Sequence, residues 1–255
     1  MTVYSERFTG RAAGYAQYRE RYEPDVVLPL MREWCGLTPQ WRIADVGAGT
    51  GMASDVFRAN GNPVIAIEPN AEMRVTCASL HASDAQFTVV DGSAEATGFP
   101  DASIDMVVVG RALHWFDVGA ALREFRRILK PEGWVAVLDC GRTKDGREEN
   151  LAYKNLLQAY TAKEDFLDTL LKVYKQLDTL FAGGRFHHAE VSGEMHLDWE
   201  ELRGLTLSFS HAPTPGSDAF PTFEVALRSY FDRHAQQGRV TMSKRTLINA
   251  GQFAG

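Results

Sequence analysis

Between Ile43 and Gly51 the chain reads I-A-D-V-G-A-G-T-G, with glycines at 47, 49 and 51 and an acid, Asp45, two residues ahead of the first. Glycines so spaced let a turn adopt positive φ and let its backbone approach a ligand closely. Ile43, Ala44 and Val46 form a short apolar run suited to a buried parallel strand. Met52, Val56 and Phe57 share one face of a helix that stops at Asn60-Gly61. Glu68 ends the next apolar run, Val64–Ile67. An acid at that place can accept hydrogen bonds from both hydroxyls of a ribose. Strand, glycine turn and helix make the first half of a nucleotide-binding βαβ unit. The spacing is G-x-G-x-G, not the G-x-G-x-x-G of dinucleotide sites, which disfavours a dinucleotide-dependent oxidoreductase.

The elements that must position this turn follow in order. Pro69 and Asn70 open a helix carrying Met73 and Leu80, and Phe87–Val90 is a third strand leading into Asp91-Gly92-Ser93-Ala94-Glu95. Ile104–Val109 is apolar on both faces, as buried parallel strands are. Val118, Leu122, Phe125 and Leu129 form a helical stripe, Lys130–Gly133 reads as a type I turn, and Trp134–Asp139 is a fifth strand. Such alternation is that of a doubly wound sheet. Upstream, Ser5–Glu23 is polar with interleaved Phe8, Tyr15, Tyr18 and Tyr22, a loop leading into a short helix, and Val26–Cys35 is helical.

Beyond Arg142 the rhythm changes. Asp145–Glu149 is a charged stretch, followed by a helix carrying Leu167, Leu170, Tyr174, Leu177 and Phe181. Two short strands are expected around Val191 and His196-Leu197. Asp198 and Glu201 form a capping box for a helix holding Leu202, Leu205 and Phe209. Phe223, Leu227 and Tyr230 mark another helix, and Val240–Asn249 is the last strand.

Composition narrows the function. A net charge of -6 and a pI near 5.7 argue against a broad nucleic-acid-binding face. Cys35, Cys77 and Cys140 show no CxxC and no paired spacing with histidine, so they read as reduced, mostly buried thiols of a cytosolic protein. Met1–Gly10 is polar and no apolar run approaches membrane-spanning length, so a cytoplasmic location without a membrane partner is expected.

Several stretches resemble the small-molecule branch of the class I S-adenosylmethionine-dependent methyltransferases, the type 11 domain and trans-aconitate methyltransferase-like proteins. Besides the glycine turn they are V-I-A-I-E-P-N (Val64–Asn70), G-S-A-E-A-T-G-F-P-D-A-S-I-D-M-V (Gly92–Val107), A-L-H-W-F-D (Ala112–Asp117), I-L-K-P-E-G-W (Ile128–Trp134) and the opening F-T-G-R-A-A-G-Y-A-Q-Y-R (Phe8–Arg19). The resemblance runs from Phe8 to Arg142 and is faint afterwards. It implies a Rossmann-like, doubly wound α/β sheet of seven strands, the last antiparallel, with an added helical cover. One domain, 1–255, is expected: an arm and helix (1–35), a cofactor-binding core (36–142), a helical cover with the acceptor region (143–239), and a last strand and tail (240–255).

By the same resemblance, Gly47, Gly49 and Gly51 border the methionine and ribose portions of S-adenosyl-L-methionine, with Asp45 near its amino group. Glu68 holds the ribose hydroxyls, Pro69 and Asn70 flank the adenine, and Ser93, Ala94 and Glu95 face the adenine edge, largely through backbone groups. Arg19, with Tyr15 nearby, pairs with the cofactor carboxylate. Two departures stand out: Ser93 replaces a common acid, and Glu20 follows Arg19 where relatives often have proline. Arg111–Phe116 faces methyl and acceptor, which makes Arg111 and His114 the candidate catalytic and acceptor-binding groups. His114 reads equally as a base or a packed ring. The D/N-P-P-Y/F pattern of amino-methylating nucleic-acid enzymes is replaced by Gly110-Arg111-Ala112-Leu113-His114. A small organic acceptor, with carboxylic acids first, is therefore expected. No metal is called for, and His187-His188 reads as a solvated strand or loop. The rival class is a non-catalytic cofactor-binding module.

Overall fold

The computed structural model describes residues 10–142, 146–160, 173–174 and 176–254. The expectations at Ser5, Phe8, Asp145, Leu167 and Leu170 lie outside these residues.

Seven strands form one sheet in the order β3-β2-β1-β4-β5-β7-β6. The four short or two-sided strands β1 (Ile43–Val46), β2 (Val64–Ile67), β3 (Phe87–Val90) and β4 (Ile104–Gly110) run parallel to one another and to β5 (Leu129–Arg142). β7 (Val240–Gln252) lies antiparallel between β5 and β6 (Arg185–Leu197). Strand residues alternate between two faces. Ile43, Met106, Val108, Ala136 and Leu138 pack under α2 (Pro24–Cys35) and α3 (Met52–Ala59). Ala44, Val107, Val109, Val135 and Val137 pack under α5 (Val118–Ile128). Burial on both faces is what gives β4 its continuous apolar run. α4 (Ala71–Leu80) is capped by the Asn70 side chain, which accepts a hydrogen bond from the Met73 N–H.

β7 begins beyond the C-terminal edge of the parallel strands, where Lys244 sits opposite Arg142. A separate apolar cluster covers that edge. Its members come from α6 (Glu148–Tyr160), α8 (Trp199–Leu207), the turn that follows α8, and α9 (Phe220–His234), and include Tyr153, Leu205, Phe209, Phe223 and Tyr230, packed on Val240 and Met242. The short α7 (Leu177–Leu180) instead joins the α5 face through Leu177. The capping box at Asp198 and Glu201 is present in both directions.

Three expectations are corrected. The two short strands near Val191 and His196 are one strand of 13 residues, paired with β7 from Arg185 to Leu197. Gly193 does not interrupt it, because the stem of Lys244 packs where a side chain would stand. The Lys130–Gly133 turn lies inside the span of β5, as an outward loop between the pairs Ile104–Leu129 and Met106–Trp134. The charged stretch after Arg142 is already helical at Glu148, with Glu148 and Glu149 in the first turn of α6, where acids suit the helix dipole.

Candidate active site

The glycine turn leaves β1 at Gly47 and enters α3 at Met52. Its three glycines have φ of 67°, 59° and 91°, a region that side chains rarely adopt. Their surroundings differ. A Cβ on Gly47 would lie 2.7 Å from that of Ala112, and one on Gly51 would lie 2.7 Å from the His81 ring. Around Gly49 there is open space. Gly51 thus serves packing against α4, while Gly49 leaves room over the turn.

Glu68 closes this side. Its Oε2 accepts the Gly49 N–H at 2.8 Å and its Oε1 accepts the Asn70 N–H at 2.8 Å. Burial raises its pKa, and these two donors oppose the rise. Arg74 fastens the segment from behind, donating to the carbonyls of Glu68 and Pro69 and pairing with Asp91 at 3.0 Å. Opposite, Ser93 and Ala96 pair through their backbones and hold out Ala94 and Glu95. The Glu95 carboxylate accepts the Asp117 N–H at 2.9 Å. Its charge is therefore used to fix the entrance of α5.

These residues, with Tyr15, Arg111 and His114, line a cleft of about 1080 Å³ at the C-terminal edge of the sheet, where open α/β sheets bind ligands. Tyr22, Met52, Trp115 and Phe116 also line it. Arg19, Asp45 and Gly51 do not lie on its wall. Asp45 is fully buried beneath the turn, where its Oδ2 accepts the Ser54 hydroxyl at 2.6 Å. Burial raises its pKa to about 7, and nothing among the described residues hydrogen-bonds its Oδ1.

Arg111 lines the cleft and also has partners within the protein. At φ 54° it turns back from the end of β4, and it is buried. Its guanidinium meets Glu20 at 3.3 Å, the Cys140 carbonyl at 3.5 Å and the Met52 sulfur at 3.2 Å. Burial works against its charge, but Tyr15, Tyr22 and Glu20 more than offset that and raise its pKa. The fork is committed to the protein, which leaves little of it for an acceptor. Arg19 lies beside Glu20 at 3.4 Å, over the rings of Tyr15 and Phe209. Glu20 was not legible as a site residue, since its only local signal is an acid between two arginines. Its buried carboxylate is kept ionised, its pKa lowered by Arg19, Arg111 and Arg142 against the pull of burial.

His114 stands in a 3₁₀ turn (Leu113–Trp115), tilted against Trp115 with ring centroids 4.5 Å apart. Burial, then Arg19, push its pKa down to about 3. It is neutral at ordinary pH and a weak base. His187 and His188 prove structural: His187 stacks on Trp34, and His188 bonds Asn249.

The arm crosses the cleft. α1 (Ala12–Tyr18) carries Tyr15 over it. Arg11 donates to the carbonyls of Leu207, Phe209 and Ala212 at the end of α8. Tyr18 packs where a Cβ on Gly204 would overlap its ring.

A glycine turn, an acid at the end of the second strand and a sheet with this strand order define a class I, Rossmann-like methyltransferase fold. Comparison with known proteins places the sequence accordingly. Residues 44–137 match the methyltransferase domain family. The chain is 32% identical over 139 residues to an uncharacterised methyltransferase of Mycobacterium tuberculosis, covering 54% of this chain and 53% of that protein. It is 38% identical over 95 residues to the malonyl-[acyl-carrier protein] O-methyltransferase of Erwinia billingiae, covering 37% of each. The chain thus spans about half the length, or less, of these curated relatives. A solved structure assigned as a type II methyltransferase, from Anaeromyxobacter dehalogenans, superposes with a TM-score of 0.66 at 24% identity, covering 92% of this chain and 98% of that one. Over residues 44–137 the chain is thus similar to methyltransferase domains, and its fold is the Rossmann-like fold of class I methyltransferases. No helix among the described residues is long and apolar enough to cross a membrane.

Proposed function

We propose that this chain transfers the methyl group of S-adenosylmethionine to a small organic acceptor, with carboxylic acids the first class to test. The observation that carries the reading is the carboxylate of Glu68, locked by the N–H groups of Gly49 and Asn70 at the wall of the cleft. So held, its remaining lone pairs suit two adjacent ribose hydroxyls. The residues fit the cofactor in two further respects. Open space over Gly49 is a cradle that a side chain would fill, and the buried, hydrogen-bond-free Oδ1 of Asp45 suits a nearby ammonium.

The cofactor supplies a methyl group already activated on a sulfonium. The protein then has chiefly to hold the acceptor in line and keep water out, which supplies ~7–11 kcal/mol in well-oriented systems. Trp115, Phe116 and Tyr15 wall the methyl end with apolar faces. A neutral, weakly basic His114 is poorly suited to remove a proton but can accept or donate a hydrogen bond. That favours an acceptor that arrives as an anion, and a carboxylate needs no deprotonation. The malonyl-[acyl-carrier protein] enzyme of Erwinia billingiae, by its name an O-methyltransferase, points the same way.

The test is label transfer from methyl-labelled cofactor to a panel of acids, phenols and amines. Methyl esters of one or more acids are the expected product. Cofactor binding with no transfer to any acceptor would favour a non-catalytic module, and transfer confined to RNA or protein would overturn the small-molecule reading.

A further inference from the structure

Behind the methyl end of the cleft, guanidinium groups and aromatic rings alternate in a continuous ladder. Arg142 lies 4.7 Å from the Tyr153 ring centroid and 5.0 Å from that of Phe209. Arg19 follows, 4.5 Å from Phe209 and 5.5 Å from Tyr15. Arg111 comes next, 5.8 Å from Tyr15 and 5.4 Å from Tyr22. Tyr15, Tyr22 and Arg111 belong to the cleft wall, so the ladder leads from the cleft into the cover.

Its charges do not balance. Glu20 is the acid that Arg19 and Arg111 contact, and it also lies in the field of Arg142. Asp139, at the end of β5, adds a second carboxylate, whose pKa is raised by burial while Arg111 and Arg245 pull it down. Arg245 has its own partner in Glu190 at 3.4 Å. Arg11 spends its donors on the carbonyls that end α8. Three guanidinium groups therefore face at most two carboxylates. The buried Nη1 of Arg19 has no hydrogen-bond acceptor, and Arg142 has neither hydrogen-bond nor ion-pair partner, among the described residues. Buried charge is normally paired, whereas Arg142 is only partly buried, so its guanidinium stands open to solvent and to an incoming anion.

We propose that Arg142, with Arg19 beside it, anchors a carboxylate of the methyl acceptor at a point remote from the atom that is methylated. The proposal rests on the methyltransferase reading and says which face of the site selects the acceptor. Arg111 cannot be that anchor, being spent on Glu20, Met52 and Cys140. Arg142 can, because it is held by stacking alone, and stacking leaves the edge of the guanidinium fork open for a planar, bidentate partner. It also stands among residues of the cover, Tyr153 and Phe209, and not beside the glycine turn. Glu20, which organises the cluster, occupies the position where the resemblance leads one to expect proline.

The test uses the full chain saturated with S-adenosylhomocysteine. Acetate, benzoate, succinate, the uncharged succinamide and inorganic phosphate are titrated by calorimetry into wild type, Arg142→Gln and Arg142→Lys. Succinate or benzoate should bind the wild type, succinamide should not, and Arg142→Gln should lose about tenfold or more in affinity. Arg142→Lys should lose nearly as much, since an ammonium lacks the fork. The affinity of S-adenosylhomocysteine, unchanged in both variants, reports that they are folded. Equal carboxylate binding in wild type and Arg142→Gln, no response to any carboxylate, or preference for phosphate would overturn the anchor and leave the methyltransferase reading standing. Failure of the wild type to bind S-adenosylhomocysteine would overturn that reading itself.

Discussion

Glu68, which we propose as a binding group, is already a structural one. Its two oxygens serve the N–H groups of Gly49 and Asn70 before any ligand arrives. Glu68→Ala should weaken S-adenosylhomocysteine binding by roughly tenfold to a hundredfold, as expected for losing hydrogen bonds to a charged acceptor worth about 1.5–3 kcal/mol. It should also lower unfolding stability by about 1–3 kcal/mol, because two backbone donors lose their acceptor in a largely buried place. Calorimetry and urea unfolding measure the two effects separately, and an unchanged dissociation constant would remove Glu68 from the binding site. His114 carries a second expectation. With its pKa near 3, held down by burial and Arg19, it stays neutral from about pH 5 upward. The pH profile of kcat/KM should then lack a histidine limb between pH 5 and 8, and His114→Gln should leave its shape unchanged. A limb near pH 6.5 that vanishes in the variant would make His114 a general base.

At the scale of elements, what the sequence revealed was what is local. The glycine turn with Glu68, the two-sided strand β4 and the capping box of α8 each declare themselves within a few residues, because spacing alone dictates their geometry. What it hid depends on partners far along the chain. β6 has no residue fully buried, so its apolar signal is broken into two apparent strands, and only its register with β7 makes it one. The ladder of Arg19, Arg111 and Arg142 joins an arm, the end of β4 and the end of β5, and nothing in the spacing of these residues brings them together. Docking of the arm is equally non-local: Arg11 reaches carbonyls at Leu207, Phe209 and Ala212, and Tyr18 lies against the bare backbone of Gly204. That last contact is testable. Gly204→Ala has no positive φ to contend with, but its methyl group would displace the Tyr18 ring. Hydrogen exchange should rise in residues 10–22 while the parallel strands keep their protection. Weakened S-adenosylhomocysteine binding should follow, because Tyr15 on α1 is part of the cleft wall. Unchanged exchange in the arm would mean that Arg11 alone holds it.

For the molecule as a whole, the cost of building this cleft is concentrated under the glycine turn. Asp45 is fully buried at the end of β1, its pKa raised to about 7 by burial, against the lowering effect of Ser54. The consequence for stability has a definite sign. Below the ordinary aspartate value near 3.8, folded and unfolded chains are both protonated at this site and it contributes no penalty. Between that value and about pH 7 the unfolded chain ionises while the folded one keeps the proton, so stability is progressively lost as pH rises. Above pH 7 the loss levels off, with a ceiling of about 4 kcal/mol for a shift of roughly three units. The depressed pKa values of His114 and His211, about 3 and 4, act in the opposite direction, favouring the folded state as pH rises toward the ordinary histidine range. Total stability therefore mixes several titrations, and a difference measurement isolates the one of interest. Asp45→Asn keeps an oxygen for the Ser54 hydroxyl and removes the ionisation. In urea unfolding without cofactor, the variant should gain on the wild type steadily from pH 4 to 7, by a few kcal/mol at most, and hold a constant margin above that. If Asp45 faces the cofactor's amino group, the same variant should bind S-adenosylhomocysteine more weakly, trading binding for stability. Unfolding free energies that run parallel across the pH range would show that Asp45 titrates normally and that the turn rests on a solvated floor.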